Sequence, residues 1–335
     1  MMTIFNPLKY ITSKKVGLAL GSGGAKGLSH ISVIKYLQSM GIPIDKIAGS
    51  SIGAIVGACY ACGTLEKLKK DALSISKKEL LSLFDITFPR SGLLKGDDFI
   101  RFMGRYIPAD AMIEDMPIDL SILATDFYSG KSVIFRRGPI IDALRASVSI
   151  PGVFVPVPFK KTFLIDGGVA NPLPLETVKM MGADLTIAVN LHPGLKTSKL
   201  DRFLETKLSK KGFYLYSDDN YFSGEINLDA KGQAAVVEPE ADSSFLSLEK
   251  WLGSKKKEDV DFPNIFEVLL QSIDIMEIAN TRNILVYNKP TVLIEPKLLN
   301  VGTLDFDSVY EVITEGYKAC SEVSGKLRRR IKIWV

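Results

Sequence analysis

A chain of 335 residues that is 46% hydrophobic can bury a substantial core, which excludes disordered and fibrous classes and allows one large or two modest domains. Its 42 basic and 38 acidic side chains, a formal net charge of +4, are too balanced to argue for nucleic acid as a partner. Three cysteines make no disulfide framework, no apolar run reaches the ~18 residues of a membrane span, and the first ten residues lack a secretory pattern, so we expect a cytoplasmic protein.

After an N-terminal extension, residues 1–14, the chain alternates apolar strands with amphipathic helices. Strands are predicted at 16–20, 47–48, 120–125, 132–135, 162–165 and 185–190, and helices at 28–40, 52–62, 98–106, 140–147 and 174–181. That alternation is the pattern of an α/β fold, a three-layer sandwich in which helices flank a mostly parallel central sheet, with its core at residues 15–195. Cys59 and Cys62 form a C-x-x-C pair inside an apolar helix, with no second pair and no nearby histidine; we read them as core packing, and Cys320 likewise. From 196 to 262 the character changes. Lys207, Lys210 and Lys211 cluster, Asp218 and Asp219 follow, then Lys255, Lys256 and Lys257, which together predict a polar insertion or lid-like region. Pro263 opens a long helical pattern at 264–287; a strand at 291–294 and a helix at 308–329 make residues 263–335 a C-terminal helical region completing the core.

Two glycine-framed turns stand thirty residues apart, each between a strand and a helix: Gly21-Ser22-Gly23-Gly24-Ala25-Lys26-Gly27 and Gly49-Ser50-Ser51-Ile52-Gly53. A serine nucleophile needs a tight exposed turn, a base, and donors for the oxyanion. Gly49 and Gly53 permit the turn, and Ser51 is its centre. Gly23 and Gly24 leave backbone N–H groups uncovered by side chains, as an oxyanion hole requires. The same loop lacks the Lys-Ser/Thr pair of a Walker motif, and Lys26 stands where the dinucleotide fingerprint needs its last glycine.

Only two histidines exist, His30 and His192. His30 falls inside the helix after the first glycine loop, where a structural role is expected. His192 follows an apolar strand, and its order after Ser51 and Asp166 would suit a Ser-His-Asp esterase, although such enzymes place more strands before the nucleophile. Asp166, at the end of a strand and backed by Gly167 and Gly168, is the better base. A buried carboxylate can accept the Ser51 proton directly, provided desolvation raises its pKa.

The three motifs together resemble the patatin-like phospholipase family. Gly21–Gly27 matches its G-x-G-G-x-[KR]-G loop, Gly49–Gly53 its G-x-S-x-G, and Asp166-Gly167-Gly168 its D-G-[GA]; Thr125-Asp126, Arg145-Ala146-Ser147 and Asn171-Pro172-Leu173-Pro174 add secondary matches. The resemblance covers residues 15–193 and is similar to the bacterial branch. It implies a Ser51–Asp166 dyad, an oxyanion held by the amides of Gly23, Gly24 and Ala25, a structural or electrostatic role for Lys26, and hydrolysis of a lipid acyl ester through an acyl-Ser51 intermediate. Neither a metal nor a cofactor is implied. The rival readings are a non-catalytic lipid-binding or regulatory protein and the His192 esterase. Residues 83–94 and 150–159 are apolar enough to line an acyl cleft, and equally apolar enough to pack the core or close a loop. The lysines of the insertion, with Arg328, Arg329, Arg330, Lys332 and Trp334, would suit peripheral contact with the inner membrane surface, against the plainer reading of a solvated charged face.

Overall fold

The computed structural model describes residues 14–74, 95–193 and 263–331. The expectations for residues 1–13, 83–94 and 196–262, and for Lys332 and Trp334, lie outside the described residues. Residues 14–193 and 264–331 of the described chain belong to one compact unit. No helix among the described residues is long and apolar enough to cross a membrane.

Among the described residues, one eight-stranded sheet organises the unit. Its parallel part is built from β1 (Val16–Leu20), β2 (Lys46–Ser50), β3 (Asp119–Asp126), β7 (Leu185–Val189) and β8 (Val292–Ile294), in the order β3-β2-β1-β7-β8. Beyond β3 the direction reverses: β4 (Ser132–Phe135) and β6 (Thr162–Asp166) pair with β3 antiparallel, and β5 (Val157–Phe159) pairs with β6. β1 is buried at every position, as a central parallel strand covered on both faces must be.

Side-chain alternation divides the sheet into two faces. Leu18, Leu20, Ile47, Ile122, Ile187 and Val189 join a large core with helices α1 (Ser29–Ser39) and α2 (Ile52–Ala61), α3 (Leu65–Ser74) and α4 (Asp97–Met103). Ala19, Ala48, Leu123 and Ala188 point the other way, toward α6 (Leu175–Met180). The alanines let α6 lie close to the sheet: a Cβ on Gly17 would overlap Val178. Helices on both faces of a mostly parallel sheet make the expected three-layer α/β sandwich.

The C-terminal segment adds α7 (Ile265–Tyr287), α8 (Val309–Glu322) and α9 (Ser324–Ile331). Asn264 starts α7 with a capping box: its Oδ1 accepts from the N–H groups of Phe266 and Glu267, and Glu267 Oε2 accepts from the Asn264 N–H at 2.9 Å. α8 packs along α1, with Gly316 closing the approach because a Cβ there would crowd Ser29 and Ser32. The single helix predicted at 308–329 is therefore two, broken at Val323. α3 and β5 were not predicted, and α5 (Ile140–Ser147) was.

Candidate active site

β3 is the ruler on which the site is laid out. Ser50, the last residue of β2, pairs in register with Leu123, and Asp166, the last residue of β6, pairs with Ala124. Two residues distant in sequence thus end on adjacent positions of one strand. Ser51 follows Ser50 into the turn, and its Oγ donates to Asp166 Oδ2 at 2.6 Å.

Ser51 holds a backbone conformation that side chains rarely adopt, φ 54° and ψ −122°, at the N-terminus of α2. Such strain costs on the order of 1–3 kcal/mol and persists only where neighbours over-determine it. Here they do. A Cβ on Gly49 would strike the backbone of Gly53 and Ala54, and one on Gly53 would strike the carbonyls of Leu20 and Gly21. The Ser51 N–H donates to Ser147 Oγ at 2.9 Å, at the buried end of α5. Ser50 is fully buried on its strand, whereas Ser51 lines the cleft.

Asp166 is buried, and its second oxygen accepts from the Gly168 N–H at 2.7 Å. Burial pushes its pKa up to about 7, the negative charge of Glu277 adds to the rise, and the hydrogen bonds from Ser51 and Gly168 oppose it. A carboxylate with that pKa is a far better proton acceptor at neutral pH than an exposed aspartate.

The first glycine loop arches over this pair. Gly23 and Gly24 have positive φ, 142° and 55°. Among the described residues, neither of their N–H groups meets an acceptor, and both glycines line the cleft with Ser51 and Asp166. Ala25 departs from the expectation drawn from the family resemblance: its N–H donates to the Thr303 carbonyl at 2.8 Å and is not free for another acceptor. Gly21 and Ser22 are tied to the sheet and to the 171–174 segment through the carbonyls of Val189 and Pro172. Gly27 is held small by Ile52, which a Cβ would overlap, and Gly167 likewise by the Leu123 carbonyl.

Neither histidine touches Ser51. His30 is buried, and its Nε2 lies 2.8 Å from the Gly21 carbonyl, to which it donates. Burial holds its pKa down near 4, so the ring is neutral at pH 7 and acts as a strut for the glycine loop. His192 Nε2 lies 2.8 Å from Glu277 Oε2, too poorly aligned for a hydrogen bond, and sits beneath Gly23.

Sequence reasoning missed what the C-terminal segment contributes. Leu270, Ile273, Asp274 and Glu277 of α7 line the cleft, as does Thr303, and Ile150 and Pro151 complete its apolar side. Thr303 Oγ1 donates to the Asp274 carboxylate at 2.9 Å, and Lys26 Nζ lies 3.8 Å from the same carboxylate. Lys26 therefore joins the glycine loop to α7. The one signal available in sequence was a pair of carboxylates, three residues apart, interrupting an apolar helix. Among the described residues His192, Asp274 and Glu277 also bring ligand-type atoms within 4.8 Å of one another. Of the three, Asp274 is paired with Thr303 and Lys26, while His192 and Glu277 approach each other.

The patatin-like phospholipase family model matches residues 18–179. An uncharacterized NTE family protein of Mycobacterium tuberculosis (strain H37Rv) is 34% identical, covering 91% of this chain and 90% of its own. The chain belongs to the patatin-like phospholipase family. A second uncharacterized NTE family protein of that strain is 28% identical over 92% of this chain and 46% of its own. The lysophospholipase NTE1 of Chaetomium globosum is 28% identical over 96% of this patatin-like chain and 19% of the fungal one. Among solved structures, VipD from Legionella pneumophila aligns with 96% of this chain and 77% of its own at 14% identity and a TM-score of 0.34.

Proposed function

We propose that this protein hydrolyses carboxylic esters of lipids with Ser51 as nucleophile and Asp166 as the sole base. The observation that carries the reading is the 2.6 Å hydrogen bond from Ser51 Oγ to a buried carboxylate whose pKa is raised to about 7.

Asp166 takes the Ser51 proton as Oγ bonds to the ester carbonyl carbon, and the carbonyl π electrons move onto oxygen. Gly23 and Gly24 offer their N–H groups to that oxyanion from a loop already held open by positive φ. Collapse expels the alkoxide, which takes the proton from Asp166, and leaves acyl-Ser51. A water then gives its proton to Asp166 and attacks the acyl carbon. Ser51 is expelled, recovers the proton, and the fatty acid leaves as carboxylate with one proton released to solvent. Family membership and the fungal relative's name, lysophospholipase, support a lipid ester as substrate, and the apolar residues Ile150, Pro151, Leu270 and Ile273 suit an acyl chain.

The test is labelling by a fluorophosphonate probe together with hydrolysis of monoacyl and diacyl phospholipids. Wild type should be labelled at Ser51 and release fatty acid, whereas Ser51→Ala should do neither. Fatty-acid release by Ser51→Ala at the wild-type rate would overturn the proposal.

A further inference from the structure

Two hairpin tips stand side by side beyond the carboxyl ends of the parallel strands. β3 runs past Ser50's partner Leu123 to Asp126 and turns through 127–131 into β4; β5 turns through Lys160 and Lys161 into β6. The Phe127 N–H donates to the Phe163 carbonyl at 2.9 Å and so extends the β3–β6 ladder outward. By strand rise the tip begins about 10 Å beyond the position of Asp166.

These tips expose large apolar side chains as a contiguous group. Phe127 is 53%, Tyr128 70% and Phe163 41% exposed, and the three rings stack edge to face in a chain, Phe127 on Tyr128 and Tyr128 on Phe163. The turn is rigid. Asp126 Oδ1 accepts from the N–H groups of Tyr128 and Ser129 and from the Ser129 hydroxyl, and Gly130 supplies the positive φ. Rigid rings lose little conformational freedom when something covers them.

The charges beside the rings have one sign. Lys131, Lys160 and Lys161 are exposed on the two tips, and the single acid there, Asp126, is spent inside its own turn. Exposed apolar residues also occur on α7, at Ile265, Val268, Ile275 and Met276, in a stretch with no lysine or arginine from 264 to 281, and at Val286 and Tyr287 at its end. Aromatic rings at the level of headgroups, ringed by lysines, fit an anionic bilayer surface.

We propose that the paired tips, with Phe127, Tyr128 and Phe163 as apolar anchors and Lys131, Lys160 and Lys161 as the basic rim, dock the protein onto an anionic phospholipid bilayer. The docking deepens the lipid-ester reading above, because it sets the carboxyl end of the sheet, and with it Ser51, toward the lipid.

The test is co-sedimentation of the full chain with vesicles of phosphatidylcholine alone and of phosphatidylcholine mixed with phosphatidylglycerol, run alongside turnover of a soluble short-chain ester. Wild type should bind the mixed vesicles and release from them as salt rises. Lys131→Glu with Lys160→Glu, and separately Phe127→Ser with Tyr128→Ser, should each lower binding about tenfold or more while ester turnover stays at the wild-type level. Vesicle binding without any ester turnover would count against the hydrolase reading and leave the docking surface standing. Indifference of wild type to the mixed vesicles, undiminished binding by both tip variants, or loss confined to Arg328→Glu with Arg329→Glu would overturn the docking surface.

Discussion

Glu277 Oε1 occupies the space into which a Cβ on Gly168 would project. The same Gly168 donates its N–H to Asp166, so a second carboxylate, carried on a helix more than a hundred residues away, sits against the group that supports Asp166. Its charge is one of the two causes that lift the Asp166 pKa.

Glu277→Gln should therefore move the acid limb of the pH–rate profile downward. Without the neighbouring charge Asp166 ionises more readily, so the base is available at lower pH, while its weaker basicity lowers the plateau rate. A kcat/KM profile between about pH 5 and pH 9 reads both effects. An acid limb unmoved in this variant would show that Glu277 does not act on Asp166 electrostatically.

Asp166→Asn should trade activity for stability. The folded-state pKa of about 7 is above the ordinary 3.8, so the folded protein holds a proton that the unfolded chain releases. Ionising the carboxylate thus costs the native state increasingly as pH rises from about 4 through 7, and the cost is fully present above the folded pKa. Asparagine removes it. Thermal melts should show a gain for the variant at pH 8 that shrinks toward pH 4, alongside an activity loss of about a thousandfold or more. A variant less stable than wild type at pH 8 would contradict the sign.

Ser147→Ala leaves the Ser51 N–H without the partner it has at 2.9 Å. The expected cost is about 1–3 kcal/mol in denaturant unfolding, from a buried donor left unmade. Because the strained turn loses a restraint, kcat should fall more than KM rises. A kinetic series at fixed pH separates these, and an unchanged kcat would place Ser147 in stability alone.

Gly24→Ala should damage both fold and activity. Its φ of 55° disfavours a side chain, and the new Cβ would overlap the Thr303 carbonyl that accepts from Ala25. Restoring space requires the 302–305 turn to move, at about 1–3 kcal/mol. Gly63→Ala serves as the control: it too has positive φ but meets nothing within 4 Å, so it should lose stability from strain and keep full turnover.

His30 predicts weakness in acid. Its folded pKa near 4 is below the ordinary 6.5, so the unfolded chain takes up a proton that the native ring refuses. Stability from this group is intact above about 6.5 and drains as pH falls toward 4. His30→Gln should flatten that part of the stability curve. An unchanged slope between pH 6.5 and pH 4 would remove His30 as its source.

What the sequence made legible was local. Each glycine-framed motif is a contiguous run whose backbone demands are visible in its own residues, and Gly49, Gly53, Gly23 and Gly24 all meet the close approaches or positive φ values that such runs imply. The alternation of strands and helices likewise gave the sandwich. Partners brought in by tertiary contact were hidden. Asp274 and Glu277 belong to a segment whose periodicity advertised a core helix, and the two carboxylates that interrupt its apolar run do not by themselves say that one of them faces Asp166; Thr303 lies in a turn with no local signal at all. β5 escaped because Pro158 sits within it, tolerated at the sheet edge where β5 has one partner. β2 was predicted two residues long because Gly49 and Ser50 carry no strand signature; pairing with β3 extends it.

The adjacent registers of Ser50 and Asp166 on β3 also say where this chain can change. Chain length between the two ends is free: whatever is inserted at the turns between them, the ladder returns both groups to neighbouring rungs. Slippage is a different matter, since a shift of β6 by a single rung would turn the Asp166 side chain to the opposite face of the sheet and part it from Ser51. Lengthening a turn is a small perturbation here, and a one-residue deletion within β6 is a complete one.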